Sequence, residues 1–133
     1  MFSNLLCNAI DASTGGSKLI LRSKEELLLG QRAVRQVRVQ IEDFGTGIPA
    51  KYVARIFEPF FTTKADVGTG LGLWLSKQIV EKNRGCIEFR TRNEGSHTGS
   101  CFSVVLPVGA SQTAEPARMY SNEDPPTLSP LAK

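Results

Sequence analysis

Val34-Arg35-Gln36-Val37-Arg38-Val39-Gln40-Ile41-Glu42-Asp43-Phe44-Gly45-Thr46-Gly47-Ile48-Pro49 is the stretch on which the fold turns. Val37, Val39 and Ile41 alternate with Arg38, Gln40 and Glu42. A period of two places the apolar set on one side of a strand and the charged set on the other. Strands of a doubly wound parallel sheet are buried on both sides and read as continuous apolar runs, so this alternation argues for an antiparallel sheet with one wet face. The strand ends in the carboxylate of Asp43, a glycine-containing turn follows, and Pro49 opens a short helix over about 49–56.

Working outward, residues 2–13 form a predicted helix with Phe2, Leu5, Leu6, Ala9 and Ile10 on one face and Asn4, Asn8 and Asp11 on the opposite one. Gly15-Gly16 ends it. Residues 17–23 read as a strand, and 24–33 are ambiguous, because Leu27-Leu28-Leu29 suits either a hairpin extension or a loop. A second long helix is expected over about 70–83. Leu71, Leu75 and Ile79 form one stripe and Leu73 and Val80 another, which predicts a mostly buried helix stopped by Gly85. Residues 86–92 and 101–107 alternate again, joined as a hairpin across the Gly/Ser-rich 93–100. Four of the seven prolines fall after Gly109, with no periodicity, so 109–133 reads as a disordered tail or linker after a domain over 1–108. The expected class is α+β: a two-layer α/β sandwich, a mainly antiparallel sheet with helices on one face.

The chain has 133 residues, 41% apolar and 22% charged, with a net charge of +3. That is enough for one small domain, and too mildly basic to argue for nucleic acid as a partner. No apolar stretch reaches membrane-spanning length and no signal-peptide pattern is present, so direct membrane contact is not expected and the cytoplasm is. Cys7, Cys86 and Cys101 are odd in number and widely spaced, which reads as reduced core thiols rather than a disulfide frame or zinc site. With His97 as the sole histidine, metal chemistry built on several histidines is excluded.

Three constellations carry chemistry. Asn4, Asn8 and Asp11 stand at i, i+4 and i+7, and oxygen donors of this kind suit Mg²⁺. The plainer reading is the solvated face of an amphipathic helix. Asp43 ends a strand beside Gly45 and Gly47. A buried carboxylate there suits an amino group such as adenine N6, and its plainer role is to cap the turn. The run Ile56-Phe57-Glu58-Pro59-Phe60-Phe61-Thr62-Thr63-Lys64-Ala65-Asp66-Val67-Gly68-Thr69-Gly70-Leu71-Gly72-Leu73 places hydroxyls, one cation and three glycines before a helix, whose free N–H groups favour phosphate. Its plainer reading is a flexible loop. No Gly-Lys-Ser/Thr follows the glycines, which excludes a Walker A loop. A eukaryotic-type protein kinase is excluded too, because no catalytic-loop His-Arg-Asp accompanies Asp43-Phe44-Gly45.

Taken together, Asn4–Ala12, Asp43–Pro49, Phe57–Lys64 and Gly68–Leu73 resemble the N, G1, F and G2 boxes of the ATP-binding catalytic domain of bacterial sensor histidine kinases, members of the GHKL group. Gly99–Pro107 resembles that family's final strand. The resemblance covers about residues 2–108. It implies a left-handed Bergerat-type sandwich that takes ATP and Mg²⁺. Asn8 would be the metal ligand, with Asn4 and Asp11 close to metal and phosphates. Asp43 would take the adenine amino group, with Gly45, Gly47 and Ile48 shaping that end. Residues 58–69 would be an ATP lid, short as in the nitrogen- and oxygen-sensing subclass. Thr63, Lys64, Gly68, Thr69, Gly70, Leu71 and Gly72 would face the phosphates.

Family domains carry further strand and helix material upstream, so the resemblance also implies a piece of a longer protein, incomplete at its N-terminus. The phosphoacceptor would be a histidine on a separate dimerisation domain, with a response regulator downstream. No catalytic residue of that kind is expected here, since His97 lies in a hairpin loop. ATPase relatives carry a water-activating glutamate where this chain has Asn4, and an amide is no base at neutral pH. Phosphoryl transfer is therefore favoured over hydrolysis. A non-catalytic nucleotide-binding module, an ATP-hydrolysing relative and a serine-kinase/anti-sigma type remain as alternatives.

Overall fold

The computed structural model of the chain describes residues 1–13, 15–28, 34–64, 68–95 and 97–109. Helix α1 (Phe2–Ala12) is followed by β1 (Leu19–Leu28), β2 (Val34–Asp43), a short α2 (Ala50–Val53), α3 (Gly72–Lys82), β3 (Cys86–Arg92) and β4 (Gly99–Pro107). The four strands form one antiparallel sheet in the order β1-β2-β4-β3. The register sets Ile41 opposite Phe102, and Phe102 opposite Phe89. The alternation of β2 therefore continues across the sheet as one apolar face.

That face carries the core. Leu5 and the small Ala9 bring α1 onto Ile41, Phe102 and Val104, while Val80 of α3 and Ile56 complete the cluster. Helices α1 and α3 both pack on the sheet and touch each other. The sandwich with helices on one face is as expected. The other sheet face is polar: Arg38 pairs with Glu26 and Glu88, and Arg22 with Glu42.

Several boundaries and burials differ from the sequence reading. Strand β1 continues to Leu28, settling the ambiguous segment as a hairpin extension as far as that residue. Lys24 stands opposite Arg38 and Glu26 opposite Gln36, and the side-chain bonds of Gln36 and Arg38 to Glu26 hold this part together. Such polar cross-strand pairs leave no apolar period to read. Residues 29–33, like the expected tail from 110 onward, lie outside the described residues. Helix α2 ends at Val53, because the chain passes into tight turns through Arg55 N–H to Tyr52 O and Glu58 N–H to Arg55 O.

The α3 stripe is inverted: Leu75 and Ile79 are exposed, and the inward face is Leu73, Ser76 and Val80. Ser76 is hidden because its hydroxyl donates to Gly72 O (2.8 Å), one turn back in its own helix, and so needs no water. Ile10 is 61% exposed rather than part of the core face. Edge strand β1 leaves Leu21 and Leu27 exposed as well. The cysteines are not core thiols. Cys7 and Cys86 are exposed, and Cys101 is half-buried on the polar sheet face.

Candidate functional site

Asp43 is the last residue of β2 and is buried, with 4% of its surface exposed. Its Oδ1 accepts two backbone N–H bonds, from Gly45 (3.0 Å) and from Ser100 (3.2 Å). Burial pushes its carboxyl group above the usual aspartate range; the two N–H bonds offset part of that and the nearby charge of Glu42 adds to it. A carboxylate held this way is oriented by the backbone and keeps acceptor capacity for a ligand.

The loop after Asp43 is built by close backbone approach. Gly47 has φ +68°, and a Cβ there would lie 2.1 Å from the carbonyl oxygen of Arg92. A Cβ on Gly45 would lie 2.0 Å from Ala12 O, which also accepts from Thr46 N–H (3.2 Å). These glycines pin the loop between the end of α1 and the end of β3. Gly47 and Ile48 line the cavity beside Asp43, while Gly45 is buried behind its wall.

The polar face of α1 forms the second wall. Asn4, Asn8 and Asp11 all line the same cavity as Asp43. Asn4 donates from Nδ2 to Gly72 O (3.3 Å), which ties α1 to the start of α3. Asp11 pairs with Lys64 Nζ from the opposing loop. Among the described residues there is no cluster of three or more His, Cys, Asp or Glu side chains able to cage a metal. Mg²⁺ does not need one: it takes one or two protein oxygens and completes its shell with phosphate oxygens and water. Asn8 lines the cavity with an amide oxygen of that kind, and so does Asn4, whose bond to Gly72 uses only its Nδ2.

The third wall is the segment between α2 and α3. Phe57 packs edge-on against Phe89, and Phe89 stacks on Phe102, which roots the segment in the sheet. Phe61 packs against Tyr52, and the Arg55 guanidinium lies 4.5 Å from the Phe61 ring centre. Gly70 has φ +68°, and a Cβ there would fall 2.3 Å from the carbonyl carbon of Phe60. The two ends of the loop therefore touch at Phe60 and Gly70. Thr62, Thr63, Lys64, Gly68, Thr69, Gly70 and Gly72 line the cavity, while Leu71 precedes α3 outside the lining. No side chain caps the α3 N-terminus, so its first N–H groups are left for another acceptor.

The three walls enclose a cavity of about 640 Å³, which falls in the size range of small-molecule and cofactor sites. Sequence reasoning missed several residues there: Cys7, Tyr52, Phe61 and Ser100 line it too. Ser100 follows a glycine at the start of β4, but only the register with Asp43 brings it to the site. His97 belongs instead to a shallow depression with Arg22, Glu42 and Cys101.

Comparison with known proteins agrees with this geometry. The family model described as histidine kinase-, DNA gyrase B-, and HSP90-like ATPase matches residues 1–110. The two-component sensor PprA of Pseudomonas aeruginosa is 41% identical over 111 residues, 80% of this chain and 11% of PprA. The signal transduction histidine-protein kinase AtoS of Escherichia coli is 36% identical over 105 residues, 79% of this chain and 16% of AtoS. This chain thus spans a small part of the length of these curated relatives. Among solved structures, the mycobacterial sensor histidine kinase MprB superposes with a TM-score of 0.64 at 29% identity, over 78% of this chain and 67% of that one. The catalytic domain of histidine kinase ThkA gives a TM-score of 0.61 at 33% identity, over 78% and 62%. With the carboxylate, the asparagine face and the glycine-bounded loop around one cavity, the chain belongs to the histidine kinase-, DNA gyrase B- and HSP90-like ATPase family, as an ATP-binding catalytic domain of the sensor histidine kinase kind.

Proposed function

We propose that this domain, taken as residues 1–108, binds Mg·ATP in the cavity and donates the γ-phosphoryl group to a histidine on a separate dimerisation domain in the cytoplasm. A response regulator would then receive it. The observation that carries the reading is the convergence of Asp43, the Asn4–Asn8–Asp11 face and the Thr62–Gly72 loop on one cavity. Asp43 accepts a hydrogen bond from the adenine amino group through Oδ2, since its Oδ1 holds Gly45 and Ser100. The free N–H groups at the start of α3 and the Lys64 ammonium meet the phosphates at the other end. Bound Mg²⁺, held by Asn8, would supply charge neutralisation on the phosphates. This chain's part is positioning: its groups orient the nucleotide and leave the terminal phosphate open to an incoming imidazole.

Asn4 is the residue that favours transfer over hydrolysis. Its amide cannot take a proton from water, and it is occupied with Gly72 O. Calorimetry with a non-hydrolysable ATP analogue should show Mg²⁺-dependent binding that weakens in Asn8→Ala; a folded sample that gives no heat refutes the reading. Labelled ATP mixed with the chain and a histidine-bearing dimerisation domain should leave acid-labile label on that domain. Binding without transfer would instead identify a non-catalytic nucleotide module. Steady phosphate release that disappears in Asn4→Ala would identify an ATPase.

A further inference from the structure

Strand β1 is one edge of the sheet, and among the described residues only β2 pairs with it. An edge strand turns a row of backbone N–H and C=O groups outward, a template for another strand. Helix α1 packs on β2 and β4, and α3 on β3 and β4, so the helix-bearing face of β1 is left open at its leucines. Leu21 stands on that face, opposite the core residue Ile41, and is 59% exposed. Leu27, an even number of residues on, shares the face and is 56% exposed. The other face of β1 carries Arg22, Lys24 and Glu26.

Residues directly opposite in an antiparallel pair point to the same face and interact. A two-fold axis makes each such pairing occur twice, because residue i meets j and j meets i. With the axis at Lys24, β1 of one copy sets Leu21 against Leu27 and Arg22 against Glu26 of the other. Lys24 then meets its own copy, with the Glu26 carboxylates of both strands as neighbours on that face. Moving the axis to Ser23 sets Arg22 against Lys24 and Leu21 against Glu25. Moving it to Glu25 sets that carboxylate against its own copy and leaves Leu21 beyond the end of the partner strand. Only the Lys24 register among these joins the exposed leucines and matches opposite charges. Both charged groups have room for a further partner. Arg22 bonds Glu42 through Nη1 and its side chain is 54% exposed. Glu26 accepts from Gln36 and Arg38, and a carboxylate has about four lone-pair sites.

We propose that β1 is a self-association edge. Two copies of this chain pair β1 to β1, antiparallel about an axis at Lys24, and their sheets join into one with all helices on the same face. Leu21 and Leu27 of the two copies cover one another on that face, and Arg22–Glu26 pairs close the other. No residue of β1 lines the cavity, so the inference stands apart from the nucleotide reading and its test uses no nucleotide.

The test is sedimentation of the full chain over a range of concentrations, with amide hydrogen exchange on the same samples. The parent should pass from monomer to dimer, and the outward N–H groups of β1 should gain protection as it does. Arg22→Glu and Glu26→Arg each set like charges opposite one another twice, and each should weaken dimerisation about tenfold or more. Mixed in equal amounts, the two variants restore both opposite-charge pairs, and the mixed dimer should return to within about threefold of the parent. Leu21→Asp alters an exposed side chain and should weaken dimerisation as well. A dimer that neither charge variant weakens, or that mixing does not restore, uses another surface and overturns the inference. A parent that stays monomeric overturns it too, whether β1 exchanges freely or is protected by a segment of its own chain. Should Glu26→Arg fail to fold, because Gln36 and Arg38 lose their acceptor, an unweakened dimer in Arg22→Glu or Leu21→Asp overturns it.

Discussion

Asp43→Asn separates binding from folding at the residue to which the proposed function assigns base recognition. The two backbone N–H groups of Gly45 and Ser100 point at Oδ1. They fix the orientation of a replacing amide, because a flipped amide would set its NH₂ against two donors. The amide oxygen therefore stays on the backbone and the NH₂ takes the place of Oδ2. An amino group of the base then meets a donor where it met a carboxylate. The loss combines a hydrogen bond to a charged group, about 1.5–3 kcal/mol, with an unpaired buried donor, about 1–3 kcal/mol. Even the low end, about 2.5 kcal/mol, weakens Kd roughly sixtyfold. Stability should rise or stay unchanged, since the neutral amide removes the cost of burying a charge while both backbone bonds remain. The assay is paired: calorimetry with an ATP analogue, and urea denaturation of the same sample. Asp43→Ala is the contrast, because it strands two backbone donors and should destabilise the fold by about 2 kcal/mol or more. An Asp43→Asn chain that binds within about threefold of the parent would refute the role given to Oδ2. A chain that loses binding and stability together would show that the carboxylate is structural.

Burial raises the folded-state pKa of Asp43, so the folded chain binds a proton more readily than the unfolded one. Its contribution to stability is therefore a penalty at neutral pH, relieved as pH falls through the folded pKa toward the ordinary aspartate value. Nucleotide binding should fall over that same acidic window, at a higher pH than an ordinary aspartate would give, and Asp43→Asn should abolish the opposed trends in paired binding and urea titrations. Gly70→Ala should lower stability by about 1–2 kcal/mol from its left-handed backbone alone, with a clash against Phe60 added. Gly72→Ala should be neutral or stabilising without ligand, since its Cβ would meet nothing nearer than Asn4 at 3.7 Å and alanine favours a helix. Equal stability of the two variants in urea would refute the Phe60–Gly70 contact as a rigid root of the loop.

Local patterns carry a large part of this protein. The period of two in Val37–Ile41 names an antiparallel strand. The short polar residues of α1 and the glycines before α3 raise the expectation of a phosphate-binding arrangement, because each signal depends only on neighbours within a turn or two of chain. The tertiary structure decides everything that depends on distant segments meeting. Strand β1 runs on through a polar stretch because β2 supplies partners for Glu25 and Glu26. Helix α3 turns Ser76 rather than Leu75 and Ile79 inward, because a hydroxyl satisfied within its own helix packs as a small residue. The loop glycines Gly45 and Gly47 are fitted to the carbonyls of Ala12 and Arg92, residues far from them in sequence. Ser100 reaches Asp43 solely through strand register. Composition and periodicity specify which face a residue presents; only the sheet order β1-β2-β4-β3 specifies which residues from different segments share one hydrogen-bond network.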